Sequence, residues 1–314
     1  MKKISKRKIK ESVAGHLFIM PVLLGILIFT VLPIGFAFIC SFYDIKGYPT
    51  FTLFHYDRLG KFYGLGNYLD IFKGELSNSS DNITRFLQSL KVTGIYAVIE
   101  IPLMLVSSFA LAVLLNQKMK GMRLYRTLFY LPVLLPAVCS GVLWGRMTDD
   151  QAGIMNNLAD MFHLPHFAWF SEAKTSMPAF ILVSMFGIGG NMILWLAQLK
   201  NVPQSVYESA RLDGASKARQ LFQITIPLCT PMILYNTIIS IIGTFQTYGQ
   251  VTTITGGGGD DYSLYFFVHN IYWYREINYF GYACALSFVL FIIIAALTLV
   301  TMRTSKWVYY GEEG

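Results

Sequence analysis

The stretch VYESARLDGASKARQLFQITIPL, residues 206–228, is a polar insert between two strongly apolar parts of this chain. It carries two acidic and three basic residues, and Asp213-Gly214 is a turn signal near its middle. A set of its residues, three of them small, recurs at the helical steps of three and four. This set is Tyr207, Ala210, Gly214, Ala218 and Leu221. We therefore expect two short helices that meet at Gly214.

The composition of the whole chain is typical of a membrane protein. Of its 314 residues, 54% are apolar and 14% are charged, and the mean hydropathy is +0.48. Soluble domains carry about 25% charged residues. The net charge of +7 alone would be compatible with a nucleic-acid partner. The positions of the basic residues therefore decide how this charge is interpreted.

Six apolar windows are long enough to cross a bilayer, whose hydrocarbon core needs about 20 helical residues. The windows are 17–41, 92–117, 127–145, 175–199, 228–250 and 277–302. The sequence therefore predicts an all-α membrane protein with six transmembrane helices. Pro227 and Pro231 are expected to open and bend the fifth helix, because proline cannot donate a backbone hydrogen bond. The first apolar window is too long for a cleaved signal peptide and is interpreted as an uncleaved helix.

The distribution of Lys and Arg predicts the orientation. Sixteen of the 25 fall in the two terminal regions and in the loops near 118–126 and 200–219. The positive-inside rule places that side, and with six spans both termini, in the cytoplasm. The basic excess then serves topology and contact with lipid headgroups, and we expect no nucleic-acid partner.

This orientation also predicts the organisation of the chain. Cytoplasmic tails occupy 1–16 and 303–314, and the six-helix domain at 17–302 contains a cytoplasmic loop at 201–227. The predicted outer segments are 43–91, 146–176 and 251–280.

Other patterns that often carry chemistry are incomplete in this sequence. No set of Cys, Asp or Glu residues completes a metal site with His163 and His166, so no metal site is predicted. The run GGGG at 256–259 lacks a following Gly-Lys-Ser/Thr and is expected to be a flexible turn. We predict no catalytic residue. The cysteines lie in apolar runs without a C-x-x-C pair and are expected to be small buried side chains. They are Cys40, Cys139, Cys229 and Cys284.

The spacing within the insert resembles a family motif. Glu208-Ser209-Ala210 is followed by three residues, Gly214, nine residues and Ile224-Thr225-Ile226-Pro227. This resembles the EAA loop, Glu-Ala-Ala-x3-Gly-x9-Ile-x-Leu-Pro, of permease subunits in binding-protein-dependent ABC importers. Ser209 and Ile226 depart from the family pattern but are close in size to the residues they replace.

The resemblance extends over most of the chain and points to the carbohydrate-importing branch. YESARLDGA at 207–215 is similar to the loop of that branch. Three other parts are similar to its third span, its first outer loop and the stretch that enters its last span. These parts are LYRTLFYLPVLLPAVCSGVLWGRM (124–147), GLGNYLDIF (64–72), and TITGGGG (253–259) with IYWYREINYFGYACALS (271–287). Gly259-Asp260-Asp261 stands where the family has a proline after the glycine run.

The resemblance implies a type I ABC importer permease fold and a transport role without enzymatic activity. In the family, the EAA loop forms a coupling helix in a groove of a separate ATPase subunit. That subunit binds the ATP, so this chain is expected to need no cofactor. Glu208 is expected to make a charged contact with the ATPase, and Gly214 to provide the geometry of the turn. By this resemblance, a role in coupling to the ATPase is expected for Tyr207, Glu208, Ser209, Ala210, Asp213, Gly214, Ala215 and Pro227.

The same resemblance implies an assembly in the bacterial cytoplasmic membrane. Its partners are a second permease subunit, two ATP-binding cassette subunits, an extracytoplasmic solute-binding protein and membrane lipid. The implied function is to form half of the pathway for a sugar or oligosaccharide. The alternative is a permease of the same type for another solute, such as a glycerol phosphodiester or a polyol.

Candidates for the substrate path come from polar residues within the spans. Glu100 is the only acidic residue in the middle of an apolar window, and intramembrane ionisable residues are candidates for function. It could instead face outer water or pair with a neighbouring subunit. Amides and a tyrosine on the fourth and fifth spans suit sugar hydroxyls, although such groups equally hold helices together. They are Asn191, Gln198, Asn236, Gln246 and Tyr248. GIGGN at 187–191 indicates either a bent fourth helix or close helix packing.

Overall fold

The computed structural model describes residues 6–47, 60–73, 81–117, 119–258 and 263–309, which are almost entirely helical. This confirms the predicted helical class. Four helices are long and apolar enough to cross a membrane. They are Gly15–Cys40, Thr84–Leu115, Ala173–Asn201 and Phe280–Arg303. Two bent helix pairs also qualify, so the described residues contain four candidate spans, or up to six if each pair is one span.

The chain divides into two compact units. Residues 1–78 and 271–289 form the first unit, and residues 79–270 and 290–314 form the second. Two helices, α15 (Phe267–Glu276) and α16 (Phe280–Arg303), contribute residues to both.

The first unit begins with one long apolar helix. It comprises α1 (Lys6–Ile26), a π-helical turn (Leu27–Val31) and α2 (Leu32–Cys40). No part of its membrane window is buried by the rest of the described chain. After this helix, β1 (Tyr43–Asp44) pairs antiparallel with β2 (Lys61–Phe62).

The segment GLGNYLDIF consists of a turn followed by a short helix. Gly64 has a φ of +58°, which favours glycine, and α3 (Gly66–Lys73) follows. Asn67 is buried, and its Nδ2 donates hydrogen bonds of 2.9 Å to the carbonyl oxygens of Ser41 and Tyr43. These bonds join α3 to the end of the first span.

The second unit contains the remaining helices. They are α4 (Asp81–Leu115), α5 (Met122–Tyr130), α6 (Ala137–Met147), α7 (Ile154–Met161), α8 (Ala173–Ser184), α9 (Ile188–Asn201), α10 (Gln204–Leu212), α11 (Lys217–Gln220), α12 (Ile226–Leu228), α13 (Thr230–Phe245) and α14 (Gly249–Thr255).

Helices α4 and α9 supply most of one buried core of this unit. Trp195 lies at its centre, and its Nε1 donates a 3.0 Å hydrogen bond to Ser108 Oγ. The indole N–H is therefore paired although the side chain is buried. The Trp195 cluster consists of Ala112, Leu115, Met192, Trp195, Leu196, Leu199, Val202 and Cys229.

The predicted third span, 127–145, is broken by two prolines. Helix α5 continues into a 3₁₀ turn, Leu131–Leu134, and α6 then leaves at 98°. Leu135 is extended, with a ψ of 126°. The cause is Pro136, because a proline ring clashes with the preceding residue when that residue is helical. Pro132 lacks an N–H and stands at the start of the 3₁₀ turn, where a missing donor is tolerated.

The predicted bend in the fifth span is confirmed, but the predicted end is wrong. The segments Lys217–Leu228 and Thr230–Phe245 meet at 65°, between Pro227 and Pro231. The helix then stops at Phe245 instead of 250, and α14 begins separately at Gly249. Tyr248, with φ −148° and ψ −64°, is outside the helical region and separates the two helices.

The second span begins earlier than the predicted 92–117. Helix α4 has 35 residues and is about 50 Å long, whereas a bilayer core is about 30 Å thick. Helix formation therefore continues into more polar residues that the search for apolar windows excluded. The last span, predicted at 277–302, is observed as Phe280–Arg303.

Gly189 of GIGGN serves close packing. Ala173–Asn201 is one candidate span that contains a 3₁₀ turn at Met185–Gly187. A Cβ atom at Gly189 would meet the carbonyl group of Phe129. Of the two alternatives for this segment, the structure therefore shows helix packing.

Three of the four cysteines are buried as expected, and one is not. Cys40, Cys229 and Cys284 are buried, but Cys139 is exposed, and all four are free thiols. Cys139 lies on α6 beside the exposed Val138 and Val142. An apolar window in a membrane protein has an outward face as well as a packed one, so apolar neighbours did not guarantee burial for Cys139.

We predict that Gly189→Ala lowers the free energy of unfolding by about 1–3 kcal/mol, because the added methyl group overlaps backbone atoms of α5. Gly187→Ala is the matched control, since a Cβ there has no atom within 4 Å and φ is −76°. Thermal unfolding of the purified protein in detergent measures both variants. Equal melting temperatures for the two would contradict the packing interpretation.

Candidate functional site

The polar insert folds as the sequence predicted, as two short helices that meet at Gly214. Helix α10 follows Pro203 and ends at Leu212, and α11 begins at Lys217. Ser216 caps α11, because its Oγ accepts a 3.2 Å hydrogen bond from the N–H of Arg219.

Gly214 ends α10 in a Schellman motif. Its φ is +78°, its N–H donates to the carbonyl oxygen of Arg211 at 3.0 Å, and the N–H of Ala215 donates to that of Ala210 at 2.9 Å. A Cβ atom at this position would have no neighbour within 4 Å. Within this chain, glycine is therefore required for the left-handed backbone and not for close contact.

Tyr207 connects α10 to the membrane helices. Its ring packs against the Trp195 cluster, and its hydroxyl is 2.9 Å from Thr225 Oγ1. Thr225 is buried at the end of a π-helical turn, Leu221–Thr225, that leads into α12. The aromatic residue thus contacts both the end of the fourth span and the start of the fifth.

A second contact holds the turn after α10. The side-chain Nε2 of Gln220 donates a 2.8 Å hydrogen bond to the carbonyl oxygen of Ala215. Gln220 is itself buried. The path of the chain around Gly214 is therefore fixed from both α10 and α11.

The opposite side of the insert is exposed. Glu208, Ser209, Asp213 and Gly214 are solvent-accessible, and the Glu208 carboxylate has no hydrogen bond or ion pair among the described residues. Ala210 and Ala215, together with Pro227 in α12, are half-buried. The outward face thus consists of short side chains beside a free carboxylate.

Leu212 is the residue of this face that the sequence reasoning missed. It is 90% exposed at the end of α10. The sequence offered one signal for Leu212: it is an apolar residue within the polar insert that does not belong to the set at helical spacing.

Glu100 is buried inside the helix packing. It is 7% exposed, and its Oε2 accepts a 2.9 Å hydrogen bond from Thr244 Oγ1, which joins α4 to α13. The alternative that Glu100 faces outer water is therefore wrong. A role in the substrate path stays a prediction.

The other substrate-path candidates lie in different environments. Asn236 is 1% exposed, and its Nδ2 donates to the carbonyl oxygen of Met232 at 3.0 Å, while its Oδ1 has no partner among the described residues. Gln198 Nε2 donates to the carbonyl oxygen of Leu228 at 3.2 Å, which is a helix-to-helix contact. Asn191 and Tyr248 are half-buried, and Gln246 is exposed.

A cavity of about 580 Å³ lies in the bend of the third span. Its lining is mainly apolar, with Trp144 and three polar side chains, Ser140, Ser184 and Gln250. Gln250 Nε2 donates a 3.1 Å hydrogen bond to Ser140 Oγ. The sequence reasoning missed these residues because the break that forms the cavity was not predicted.

The segment after α6 has its own hydrogen bonds. The Asp149 carboxylate accepts the N–H groups of Ala152 and Gln151, and these bonds lower the pKa of Asp149. His166 Nε2 is 2.6 Å from Asp160 Oδ1. In the part of the chain that the structure describes, no group of three or more His, Cys, Asp or Glu residues could hold a metal ion.

We predict that Thr244→Val destabilises the protein by about 1–3 kcal/mol, because the buried Glu100 loses its hydroxyl partner. Thr244→Ser is the matched control, since it keeps the hydroxyl and removes only a methyl group. Melting temperatures of the purified variants in detergent give the comparison. If valine is tolerated as well as serine, this hydrogen bond does not contribute to stability.

The chain resembles known transport proteins along most of its length. Residues 104–308 match the family described as "Binding-protein-dependent transport system inner membrane component". The probable ABC transporter permease protein YesP of Bacillus subtilis is 35% identical, over 97% of this chain and 94% of that protein. The lactose transport system permease protein LacF of Rhizobium radiobacter is 29% identical, over 94% of each.

A solved structure shares the fold. A chain of a bacterial alginate ABC transporter, in complex with an alginate pentasaccharide-bound periplasmic protein, superposes with a TM-score of 0.74. The match covers 96% of both chains at 18% sequence identity. The apolar helices and the matched family together place this chain in the bacterial cytoplasmic membrane, which it crosses several times. The chain belongs to the family of inner membrane components of binding-protein-dependent transport systems.

Proposed function

We propose that this chain is one of two membrane-spanning subunits of an ATP-driven importer for a sugar or an oligosaccharide. The 35% identity to YesP supports the role of an ABC transporter permease, and the name of the lactose permease supports the carbohydrate class. In the proposed topology each bent helix pair is one span, so six helices cross the membrane and both termini are cytoplasmic. The count of 16 among 25 basic residues on one side supports this orientation.

The insert is proposed to couple this subunit to an ATPase. The observation that carries this proposal is the division of α10 into two faces. Tyr207 reaches inward to Thr225 and the Trp195 cluster, while Glu208 and Leu212 are exposed without partners in the described chain. A push on the exposed face would therefore act directly on the ends of two membrane helices.

We assign distinct roles to the residues of the insert. Glu208 contacts a basic or hydrogen-bonding group of the ATPase, and such a charged hydrogen bond contributes about 1.5–3 kcal/mol. Leu212 enters an apolar pocket of that subunit. Ser209, Ala210, Asp213 and Ala215 permit close approach around Gly214, and Pro227 sets the bend through which the motion enters α13.

The proposed assembly contains a second permease, two ATPase subunits that bind the ATP, and a solute-binding protein outside the membrane. Glu100, Asn191, Asn236, Gln246 and Tyr248 remain candidates for the substrate path. The cavity beside Trp144 is added to them, because an aromatic ring, the Gln250 amide and two serine hydroxyls suit a sugar. The alternative substrate is a glycerol phosphodiester or a polyol.

We predict that Gly214→Asp abolishes uptake while the protein is still inserted at normal levels. The reason is that Gly214 has a φ of +78° on the exposed turn, so a side chain there strains the Schellman motif and adds charge where the ATPase docks. Uptake is measured in cells with labelled oligosaccharides, a glycerol phosphodiester and a polyol. Immunoblotting of membranes measures the amount of protein.

Ser205→Asp is the matched control, since it adds the same charge at an exposed position in the first turn of α10. It is expected to transport at the wild-type rate. Normal uptake by Gly214→Asp would contradict the coupling role. Uptake of the phosphodiester or polyol, and of no sugar, would contradict the carbohydrate assignment alone.

A further inference from the structure

A basic cleft lies beside the coupling insert and is not used by the proposed mechanism. Its cavity of about 870 Å³ is lined by the end of α4, the turn at Gly121, the start of α5, the end of α9 and the start of α10. Two of these helix ends belong to membrane-spanning helices, Thr84–Leu115 and Ala173–Asn201. The cleft therefore lies where the spans leave the bilayer, at the level of lipid headgroups.

The lining of this cleft is strongly positive. It contains Arg123, Arg126 and Lys200 and no Asp or Glu. Arg123 and Lys200 are exposed, and none of the three cations forms an ion pair with a residue in the described ranges. Three basic groups without a compensating acid attract an anion.

One of these cations has a fixed position. The Nε and Nη2 atoms of Arg126 donate hydrogen bonds of 3.1 and 2.6 Å to the carbonyl oxygen of Leu115. Leu115 is the last residue of α4, so the guanidinium also satisfies a carbonyl group at a helix end. Arg126 is therefore held at the cleft wall.

The start of α5 adds a further favourable field. Gly121, with a φ of +83°, precedes this nine-residue helix, and Met122 to Leu124 line the cleft. Backbone N–H groups at a helix start favour negative charge. The three cations suit a phosphate group, whose negative charge can be shared between several donors.

An apolar surface adjoins the cleft. Leu124 is 62% exposed and Leu128, one turn further along α5, is 53% exposed. Free phosphate would make no use of this surface, whereas the acyl chains of a lipid would cover it. The combination of a basic cleft with an adjoining apolar helix face thus favours a lipid over a soluble anion.

We infer that this cleft binds the headgroup of an anionic phospholipid, with its phosphate between Arg123 and Lys200 and its acyl chains along α5. The site adjoins Tyr207, which also lines the cleft. A bound lipid would therefore support the wall against which α10 rests. The inference concerns lipid binding and does not depend on the identity of the transported solute.

Native mass spectrometry of the importer complex, purified with this full-length chain, tests this site. Detergent-solubilised protein is titrated with phosphatidylglycerol, phosphatidylcholine or inorganic phosphate. We expect wild-type protein to retain phosphatidylglycerol in preference to the other two. The double variant Arg123→Gln/Lys200→Gln is expected to bind phosphatidylglycerol about 25-fold more weakly, from about fivefold for each basic residue lost.

Arg303→Gln/Lys306→Gln is the matched control, because it removes two exposed basic residues outside the cleft. It is expected to bind like the wild type. Equal weakening in both double variants would overturn the inference, because general surface charge would then explain binding. Retention of inorganic phosphate as strong as that of phosphatidylglycerol would also overturn it. Unchanged lipid binding with loss of a co-purifying ATPase subunit would instead identify a protein contact.

Discussion

The contact between Tyr207 and the membrane helices is the interaction on which the rest of the site depends. Helix α10 has nine residues, and a helix this short is not stable in water by itself. Three contacts hold this helix in place. The Tyr207 ring packs against the Trp195 cluster, the Tyr207 hydroxyl is 2.9 Å from Thr225 Oγ1, and the Schellman motif at Gly214 ends the helix. In the proposed coupling role, a surface that receives force must be fixed to what it moves, and these contacts would provide that connection.

Proline and glycine determine where the membrane helices change direction. A backbone break inside a bilayer is tolerated only where neighbouring protein satisfies the freed groups. The 98° break at Leu135-Pro136 leads into α6, which lies against α14 so closely that a Cβ on Gly141 would contact the side chain of Thr253. The 65° bend at Cys229 directly follows Thr225, the partner of Tyr207. One bend thus borders the candidate substrate cavity and the other borders the coupling insert.

The sequence predicted the elements whose signals are local. Apolar windows located the four long candidate spans and the two bent helix pairs, and Asp213-Gly214 located the turn, because each depends on residues next to one another. It did not predict the break at Pro136, since a search for apolar windows treats proline as just another uncharged residue. It also left the partner of Glu100 open and missed Leu212, because pairing with Thr244 and exposure at a helix end depend on tertiary structure. Residue roles that require a partner subunit were available only from the family resemblance.

The ratio of ATP hydrolysed to solute imported tests the central claim most directly. It is measured in proteoliposomes that contain the whole importer, for the wild type and for Tyr207→Ala, with the amount of bound ATPase subunit determined in parallel. The account predicts that the variant complex assembles and hydrolyses ATP, while much less solute enters per ATP because α10 is no longer fixed to the membrane helices. An unchanged ratio in an assembled complex would contradict the claim that Tyr207 carries the coupling.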